Sequence, residues 1–380
     1  MKNLSRKFIA GAATAGLFVA VVGLVSLRAY SQAGADSAGM PATRSVRNPL
    51  HPQYLTPLML ASLNGDAGSV RTLLARGADA NEVNVHGTTP LMCAAANGHV
   101  NVLETLLGAG AQVNARSVFE QTPLLFAAKY GQAAAAQVLI SHGAEVNAER
   151  HRAITAQVLE EIFGEEGGGA HEGGDAGKRS VVVVNAFAEA LTNNHPHVAK
   201  LLLDNGASPS VLGLSGANEA LRLSARKGYA ELVGPLLSKG AEVNYLDPRG
   251  RTALMEAATF GRGAVVKALL DRGAAVDVKD SQGLTALLLA AKSGNAASTR
   301  ALLAHGAQIE ATNGKGETAL LIAARSGNSE ALDVLLKSGA NRGAKDAADN
   351  TAVMLAEYYG HASVTKRLGG RAVATGKWPN

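Results

Sequence analysis

The chain has 380 residues, of which 47% are hydrophobic but only 4% aromatic, and 43 are glycine. This composition excludes a core built around large rings and favours helices packed closely through Ala and Leu. The formal charge of +5 arises in residues 1–33, which hold four bases and no acid and leave 32 bases against 31 acids in the remainder. The charge is therefore no argument for nucleic-acid binding, and the single cysteine, Cys93, excludes an intramolecular disulfide.

The N-terminal segment, residues 1–33, has the layout of an export signal. Its first seven residues are basic, residues 8–27 carry no charge, and Ser31 and Ala33 suit a small-x-small cleavage site. The apolar run at 8–27 is also long enough to span a bilayer, so a cleaved signal peptide and an uncleaved membrane anchor both remain open. In either case the basic end stays in the cytoplasm. We expect an exported, periplasmic protein, either soluble or anchored in the inner membrane, with a flexible linker at 34–49.

A segment such as TPLMCAAANGH, residues 89–99, recurs along the chain. The equivalent first positions are Thr56, Thr89, Thr122, Asn185, Glu219, Thr252, Thr285, Thr318 and Thr351. Most of them are evenly spaced, while one interval is longer by a single position and the interval from Thr122 to Asn185 is nearly twice as long. Thr is a good helix N-cap, and Pro or Ala suits the turn that follows it. Each copy predicts a short helix ending near a glycine such as Gly98, then a Leu-rich helix ending near a glycine such as Gly110.

Neither short helix can bury its apolar face alone, so neighbouring units must stack in a solenoid. The pattern G-x-T-P-L-x-x-A-A-x-x-G-H…L-L-x-x-G-A-x-V-N closely resembles the ankyrin repeat, over most of the chain that follows the linker. The resemblance implies an all-α solenoid of about nine helix-turn-helix units with loop or β-hairpin fingers. Units 1–3 are predicted at 50–147 and units 4–9 at 185–370, with a C-terminal tail at 371–380. We expect a monomer.

The chain departs from the family pattern in two places. The family usually has His after Pro-Leu, whereas this chain has Met, Leu or Arg there, as at Met92 and Arg222. We therefore expect that any hydrogen-bond network through that His is absent. Pro235 falls inside the second helix of unit five. Because Pro lacks a backbone donor and crowds the preceding turn, we expect a kink or a weak point there.

The long interval between Thr122 and Asn185 indicates an insertion at 148–184. Apolar residues of ITAQVLEEIF, residues 154–163, lie at helical spacing and predict one extra helix, which a flexible Gly-rich loop follows. We expect the insertion to loosen the coupling between units 1–3 and units 4–9. The stretch GDAGKRS resembles the end of a phosphate-binding loop but lacks that motif's first Gly and its Ser or Thr. A flexible chain around His171 would lose much conformational entropy on binding a metal ion. We predict no cofactor and no metal site.

The sequence also predicts no catalytic site. None of the ten histidines forms a metal-ligand spacing with Cys93, and no G-x-S-x-G motif occurs. In ankyrin repeats the position of Cys93 is buried, so a packing role is favoured over a nucleophile. We therefore interpret the protein as a non-enzyme.

In the ankyrin family, partner contacts come from a concave face built by the loop tips before each Thr and by the residues ahead of the first Gly. Aromatic residues are scarce in this chain, yet five fall at these places, and units five to eight place seven bases there against one acid. Exposed aromatic rings beside Arg are typical of binding hot spots. We predict a protein partner, acidic where it meets units five to eight, and no nucleic acid. The predicted contact residues are Phe119, Lys129, Tyr130, Arg226, Lys227, Arg249, Arg251, Phe260, Lys292, Lys315, Arg325, Tyr358 and Tyr359.

Three functions fit these observations. The first is a non-catalytic protein–protein interaction scaffold of the bacterial envelope, which binds its partner through the concave face. The second is a membrane-anchored structural or protective factor that stabilises an envelope enzyme. The third is a ligand- or metal-responsive switch that works through the Gly-rich insertion.

Overall fold

The computed structural model of the chain describes residues 49–155, 179–211 and 216–370. The predicted signal or anchor, the predicted linker up to residue 48 and the predicted C-terminal tail lie outside these ranges. Among the described residues no helix is both long and apolar enough to span a bilayer.

Within the described ranges, eighteen α-helices form nine consecutive pairs, as the repeat predicts. The pairs are α1 Pro57–Asn64 and α2 Ala67–Ala75, α3 Pro90–Asn97 and α4 Val100–Gly108, α5 Pro123–Lys129 and α6 Ala133–Ser141, α7 Ala186–Thr192 and α8 Pro196–Asp204, α9 Ala217–Lys227 and α10 Ala230–Ser238, α11 Ala253–Thr259 and α12 Gly263–Leu270, α13 Ala286–Ser293 and α14 Ala296–Ala304, α15 Ala319–Arg325 and α16 Ser329–Lys337, and α17 Ala352–Tyr358 and α18 Ala362–Leu368. We call the first helix of each pair inner and the second outer. The loop that precedes each inner helix is its finger.

The predicted helix caps are confirmed in eight of the nine units. Each capping hydroxyl of Thr accepts a hydrogen bond from the backbone N–H three residues on, at 3.2–3.5 Å, and Asn185 does the same at 2.9 Å. The prediction for Glu219 is wrong. Helix α9 begins at Ala217 after Gly216, so Glu219 lies inside its first turn. Its carboxylate pairs with Arg222 one turn on, at 3.0 Å, in place of capping the helix.

A side chain at the start of an outer helix fixes its unit to the one before it. His195 is an example: its Nε2 lies 3.1 Å from the carbonyl oxygen of Lys129, and its ring covers Gly131. Gly131 has a φ of 75°, and an added Cβ would lie 2.4 Å from the ring, so only glycine fits. His99 and His361 make the same contact in their own units.

The contact through His195 crosses the insertion, because Lys129 belongs to unit three and His195 to unit four. Asn147 adds a second bridge over it by donating to the carbonyl of Gly206 and accepting from the N–H of Ser208. Helices α5 and α7 pack against each other as other neighbouring inner helices do. These contacts join units three and four directly, and Arg150 of the inserted chain also contacts unit four through Glu189, while the looser coupling of units 1–3 and units 4–9 stays a prediction.

The loosest inner contact lies one unit later. Helices α7 and α9 approach each other less closely than the inner helices of any other neighbouring units. Leu191 of α7 is fully buried at a position where most other inner helices carry Ala. A polar contact joins the two units instead, since Asn194 Oδ1 accepts from Lys227 Nζ at 2.6 Å and from the hydroxyl of Tyr229 at 2.9 Å.

The insertion begins and ends as a β-hairpin. Strand β1, Arg150–Thr155, pairs antiparallel with strand β2, Arg179–Val184. The predicted extra helix is therefore wrong at residues 154 and 155, while residues 156–163 and the Gly-rich loop up to 178 lie outside the described residues. The four valines of β2 favour a strand and offer backbone partners to β1, which outweighs the helical spacing of the apolar residues.

Helix α10 runs through Pro235 without ending there and has the same nine-residue length as α8. The missing N–H of Pro235 removes one internal bond, while Leu232, Val233 and Leu236 around it are fully buried. Packing of these side chains against neighbouring units maintains the helix.

Candidate functional site

The candidate site is the inner face, formed by the inner helices and the fingers. The aromatic residues predicted there are partly exposed, from 37% for Phe119 to 66% for Tyr358. Tyr358 and Tyr359 form an edge-to-face pair, with ring centres 5.0 Å apart, at the end of the last inner helix. Tyr130 and Phe260 follow the ends of α5 and α11. The inner face therefore presents aromatic surface to solvent at several units.

Two of these rings carry a cation. The guanidinium of Arg226 lies 4.6 Å from the ring centre of Phe260, and the ammonium of Lys129 lies 5.2 Å from that of Tyr130. Both distances are within the range in which a cation is attracted by an aromatic face. Tyr130 also stacks on Phe126, with ring centres 6.4 Å apart, and both Tyr130 and Phe260 remain partly exposed to solvent.

Several of the predicted bases are already paired inside the protein. Arg251 is only 15% exposed and contacts the carboxylate of Glu256 at 3.3 Å and the hydroxyl of Thr259 at 2.7 Å. Arg325 pairs with Glu317, which is buried beneath it. The inner face therefore offers fewer unpaired positive charges to a partner than the count of bases in the sequence suggested, because buried acids neutralise these two arginines.

A buried ionic cluster joins units five and six. Arg222 Nη1 contacts Glu219 at 3.0 Å, and its Nη2 lies 3.0 Å from Asp247 and 3.7 Å from Glu256. Arg222 occupies the place where the family usually has His, so unit five has an ionic network through Arg222 at this position. A long guanidinium reaches both the next finger and the next inner helix, which Met or Leu cannot do.

A second buried pair anchors the hairpin. Arg150 of β1 donates to Glu189 of α7 through Nε at 2.9 Å and through Nη2, and Asn193 Nδ2 donates to the other carboxylate oxygen at 3.0 Å. Burial acts to raise the pKa of Glu189, but the charge of Arg150 beside it holds that pKa below its ordinary value. A glutamate at the same position of two inner helices, Glu189 and Glu256, was the sequence signal for these buried acids.

Other predicted bases reach solvent. Lys292 and Lys315 are exposed, and within the described part of the chain neither has a carboxylate at ion-pair distance. Arg249 lies exposed at a fingertip. Burial and the neighbouring charge of Arg226 lower the pKa of Lys227 to about 8. Lys227 therefore titrates near physiological pH, unlike ordinary lysines.

The described residues hold no group of three or more His, Cys, Asp or Glu arranged to bind a metal ion. His171 and the Gly-rich stretch lie outside the described ranges. Cys93 is fully buried in α3, and burial raises the pKa of its thiol to about 12. Such a thiol is not a nucleophile at neutral pH.

The geometry and the sequence now identify the family. The family model "Ankyrin repeats (3 copies)" matches residues 40–117, 58–150, 221–313 and 287–371, which together cover more than half of the chain. The chain belongs to the ankyrin repeat family. Between these matches, residues 151–220 are not covered by the family model, and this gap includes most of the hairpin that interrupts the repeat.

Two curated proteins are similar to short stretches of the chain. The E3 ubiquitin-protein ligase XBAT33 of Arabidopsis thaliana is 44% identical over 64 residues, which are 17% of this chain and 12% of that protein. The glycerophosphocholine phosphodiesterase gde1 of Schizosaccharomyces pombe is 34% identical over 76 residues, 20% of this chain and 7% of its own. The chain thus matches only a small part of either relative's length. Family membership indicates a protein–protein interaction scaffold.

Proposed function

We propose that this ankyrin repeat protein is a non-catalytic scaffold of the bacterial envelope that binds a partner protein on its inner face. The observation that carries the proposal is the exposure of Tyr130 and Phe260 on that face, each with a cation over its ring. Rings of this kind supply large contact area at little cost in conformational entropy, and Arg and Tyr are enriched among binding hot spots.

The buried ionic pairs support the same function, because they make the face rigid. Arg222 ties an inner helix to the next finger, and Arg251 ties that finger to its own inner helix. A surface held in its bound shape loses less entropy when the partner docks. The internal pairing of these arginines also means that they are poor targets for testing contact with a partner.

The test compares capture of envelope proteins by the full chain and by the variants Tyr130→Ala and Phe260→Ala. We expect each variant to weaken capture of the specific partner by about 30-fold if its ring is a hot spot. Arg300→Ala removes a long exposed side chain from outer helix α14 and serves as the control. Equal capture by the wild type, both ring variants and the control would contradict the proposal. Circular dichroism of each variant verifies that the helices are intact.

The envelope setting rests on residues 1–33, whose basic start, uncharged run and small-residue site are typical of an export signal. N-terminal sequencing of the mature protein should give a start near Gly34 if the signal is cleaved. Recovery of the chain in the cytoplasmic fraction with its first residues intact would contradict export.

A second candidate function is a membrane-anchored factor that protects an envelope enzyme. The uncharged run at 8–27 favours it, since a run of this length can span a bilayer. Here the mature protein should retain its first residues and sediment with inner membranes. Deletion of residues 1–33, with a cleavable signal supplied in their place, should then abolish protection of the enzyme without abolishing binding to it.

A further inference from the structure

Four bases on the inner face lie near one repeated position, the end of the inner helix. Lys129, Arg226 and Lys292 stand at the same place in units three, five and seven. Units four and six have Thr192 and Thr259 there instead. On sequence alone the cations therefore alternate with neutral residues.

The two bases of unit five place their charges beside the neighbouring units and not beside unit five itself. Lys227 extends back over unit four, where its ammonium donates to the carbonyl of Thr192 at 3.3 Å. Arg226 extends forward, with its guanidinium on the ring of Phe260 in unit six. Cations thus lie beside units three, four, six and seven. We call Lys129, Lys227, Arg226 and Lys292 the helix-end row.

The charge of Lys129 helps to lower the pKa of the buried Glu189, but the four cations of the helix-end row are not held in ion pairs within the described part of the chain. Among the described residues, no carboxylate lies within ion-pair distance of any of the four cations. In this respect the row differs from Arg251 and Arg325, whose charges are already paired with Glu256 and Glu317. An acidic ligand would therefore gain these four ion pairs without breaking an existing one.

The spacing of the row selects among acidic ligands. Neighbouring packed helices lie about 8–10 Å apart. An extended peptide advances about 3.3 Å per residue, so every third residue advances by about one repeat. Phosphates recur about every 3.4 Å along one strand of duplex DNA, about three times more densely than the cations. The row therefore matches side-chain carboxylates better than a nucleic-acid backbone.

We propose that the helix-end row binds an extended acidic segment that lies along the stack, with two Asp or Glu residues three apart opposite units three and four and two more three apart opposite units six and seven. This inference rests on the proposed function and specifies the chemistry of the partner. Tyr130 and Phe260 lie beside the cations of the row and contact the residues between the carboxylates.

The experiment measures binding of fluorescent peptides to the full chain by anisotropy at low ionic strength. One peptide of about 13 residues carries its four acids at positions 1, 4, 10 and 13, to face units three, four, six and seven, and a second has the same composition with the four acids contiguous. We expect the spaced peptide to bind at least about tenfold more tightly, because only it can pair with all four cations. Equal affinity for the two peptides overturns the proposal, and so does tighter binding of a single-stranded oligonucleotide of equal charge.

Variants of the row locate the site. Lys292→Glu and Arg226→Gln should each weaken binding of the spaced peptide by about fivefold, and Lys292→Arg should bind it as the wild type does. Arg300→Glu, which reverses a charge on outer helix α14, should leave the affinity unchanged. An equal loss from Lys292→Glu and Arg300→Glu would show a non-specific charge effect and overturn the site. If spacing has no effect while partner capture still depends on Tyr130, the inference fails and the proposed scaffold function stands.

Discussion

Replacing Arg150 by Met tests whether the buried pair with Glu189 positions the hairpin on unit four. The side chain of Glu189 is 1% exposed, and its carboxylate accepts hydrogen bonds from Arg150 and Asn193. Arg150→Met leaves this carboxylate buried with a single neutral donor. Removing one partner of a buried ion pair costs about 3–5 kcal/mol, whereas replacing both partners by apolar residues of similar volume is nearly neutral. We therefore expect a loss of about 3–5 kcal/mol for Arg150→Met and of less than about 1 kcal/mol for Arg150→Met/Glu189→Met.

The pH dependence of the free energy of unfolding provides a second test of this prediction. In the wild type the folded-state pKa of Glu189 is lowered, so the pair stabilises the fold above the unfolded pKa of about 4.3 and this stabilisation is lost as pH falls further. Arg150→Met removes the largest of the charges that lower the folded-state pKa of Glu189 and leaves the smaller effects of Arg152 and Lys129, so we expect burial to raise that pKa and the penalty of burying the carboxylate to be relieved as pH falls. The stability difference between the wild type and Arg150→Met should therefore narrow between pH 7 and pH 4.

A local measurement suits this array, because long repeat proteins need not unfold in one step. Amide hydrogen exchange of helix α7 reports the free energy of opening where Glu189 lies, and helix α17 is a distant internal control. Exchange of α7 should quicken in Arg150→Met, recover in the double variant, and stay constant in α17. A double variant as unstable as the single one, or a single variant within about 1 kcal/mol of the wild type, would refute the reasoning.

The remaining predictions concern backbone strain, charge and thiol reactivity. Gly131→Ala should lower the free energy of unfolding by about 2 kcal/mol, because its Cβ meets the ring of His195 at a positive φ, and chemical denaturation checks it. Asp349→Gly should raise the same quantity by about 1 kcal/mol, since Asp349 has a φ of 62° and its side chain is exposed. Affinity for the spaced acidic peptide should fall by about two- to fivefold between pH 7 and pH 9 as Lys227, with a pKa of about 8, loses its charge, and Lys227→Arg should abolish this fall. Cys93, buried with a pKa of about 12, should resist a thiol-reactive dye in the folded protein and react on unfolding; rapid labelling of the native chain would contradict its placement.

The sequence predicted the helices well because their ends depend on local chemistry. A Thr hydroxyl caps the helix that follows it, and a glycine such as Gly98 or Gly294 ends it in a left-handed conformation. These signals recur at a fixed spacing, so each copy supports the others. Glu219 broke the pattern because its carboxylate pairs within its own helix and Gly216 begins the helix earlier.

The charges of the inner face were harder to predict, since they depend on contacts between units. Counting Arg251 and Arg325 as available cations overlooked the buried acids Glu256 and Glu317 next to them. The reach of Lys227 to the preceding unit is likewise a property of the stack, not of its own repeat. The hairpin escaped prediction because β1 takes its strand form from pairing with β2, which lies beyond the whole Gly-rich stretch in the sequence.

The bridges of His195 and Asn147 across the insertion mean that chain continuity between residues 155 and 179 is not what joins the two parts of the array. Two separately produced polypeptides divided within this interval would each keep their own side of these bridges, and we expect them to reassemble through the bridges. The insertion is consequently a natural position for splitting the protein into complementing fragments or for grafting a foreign sequence without disturbing the repeats on either side.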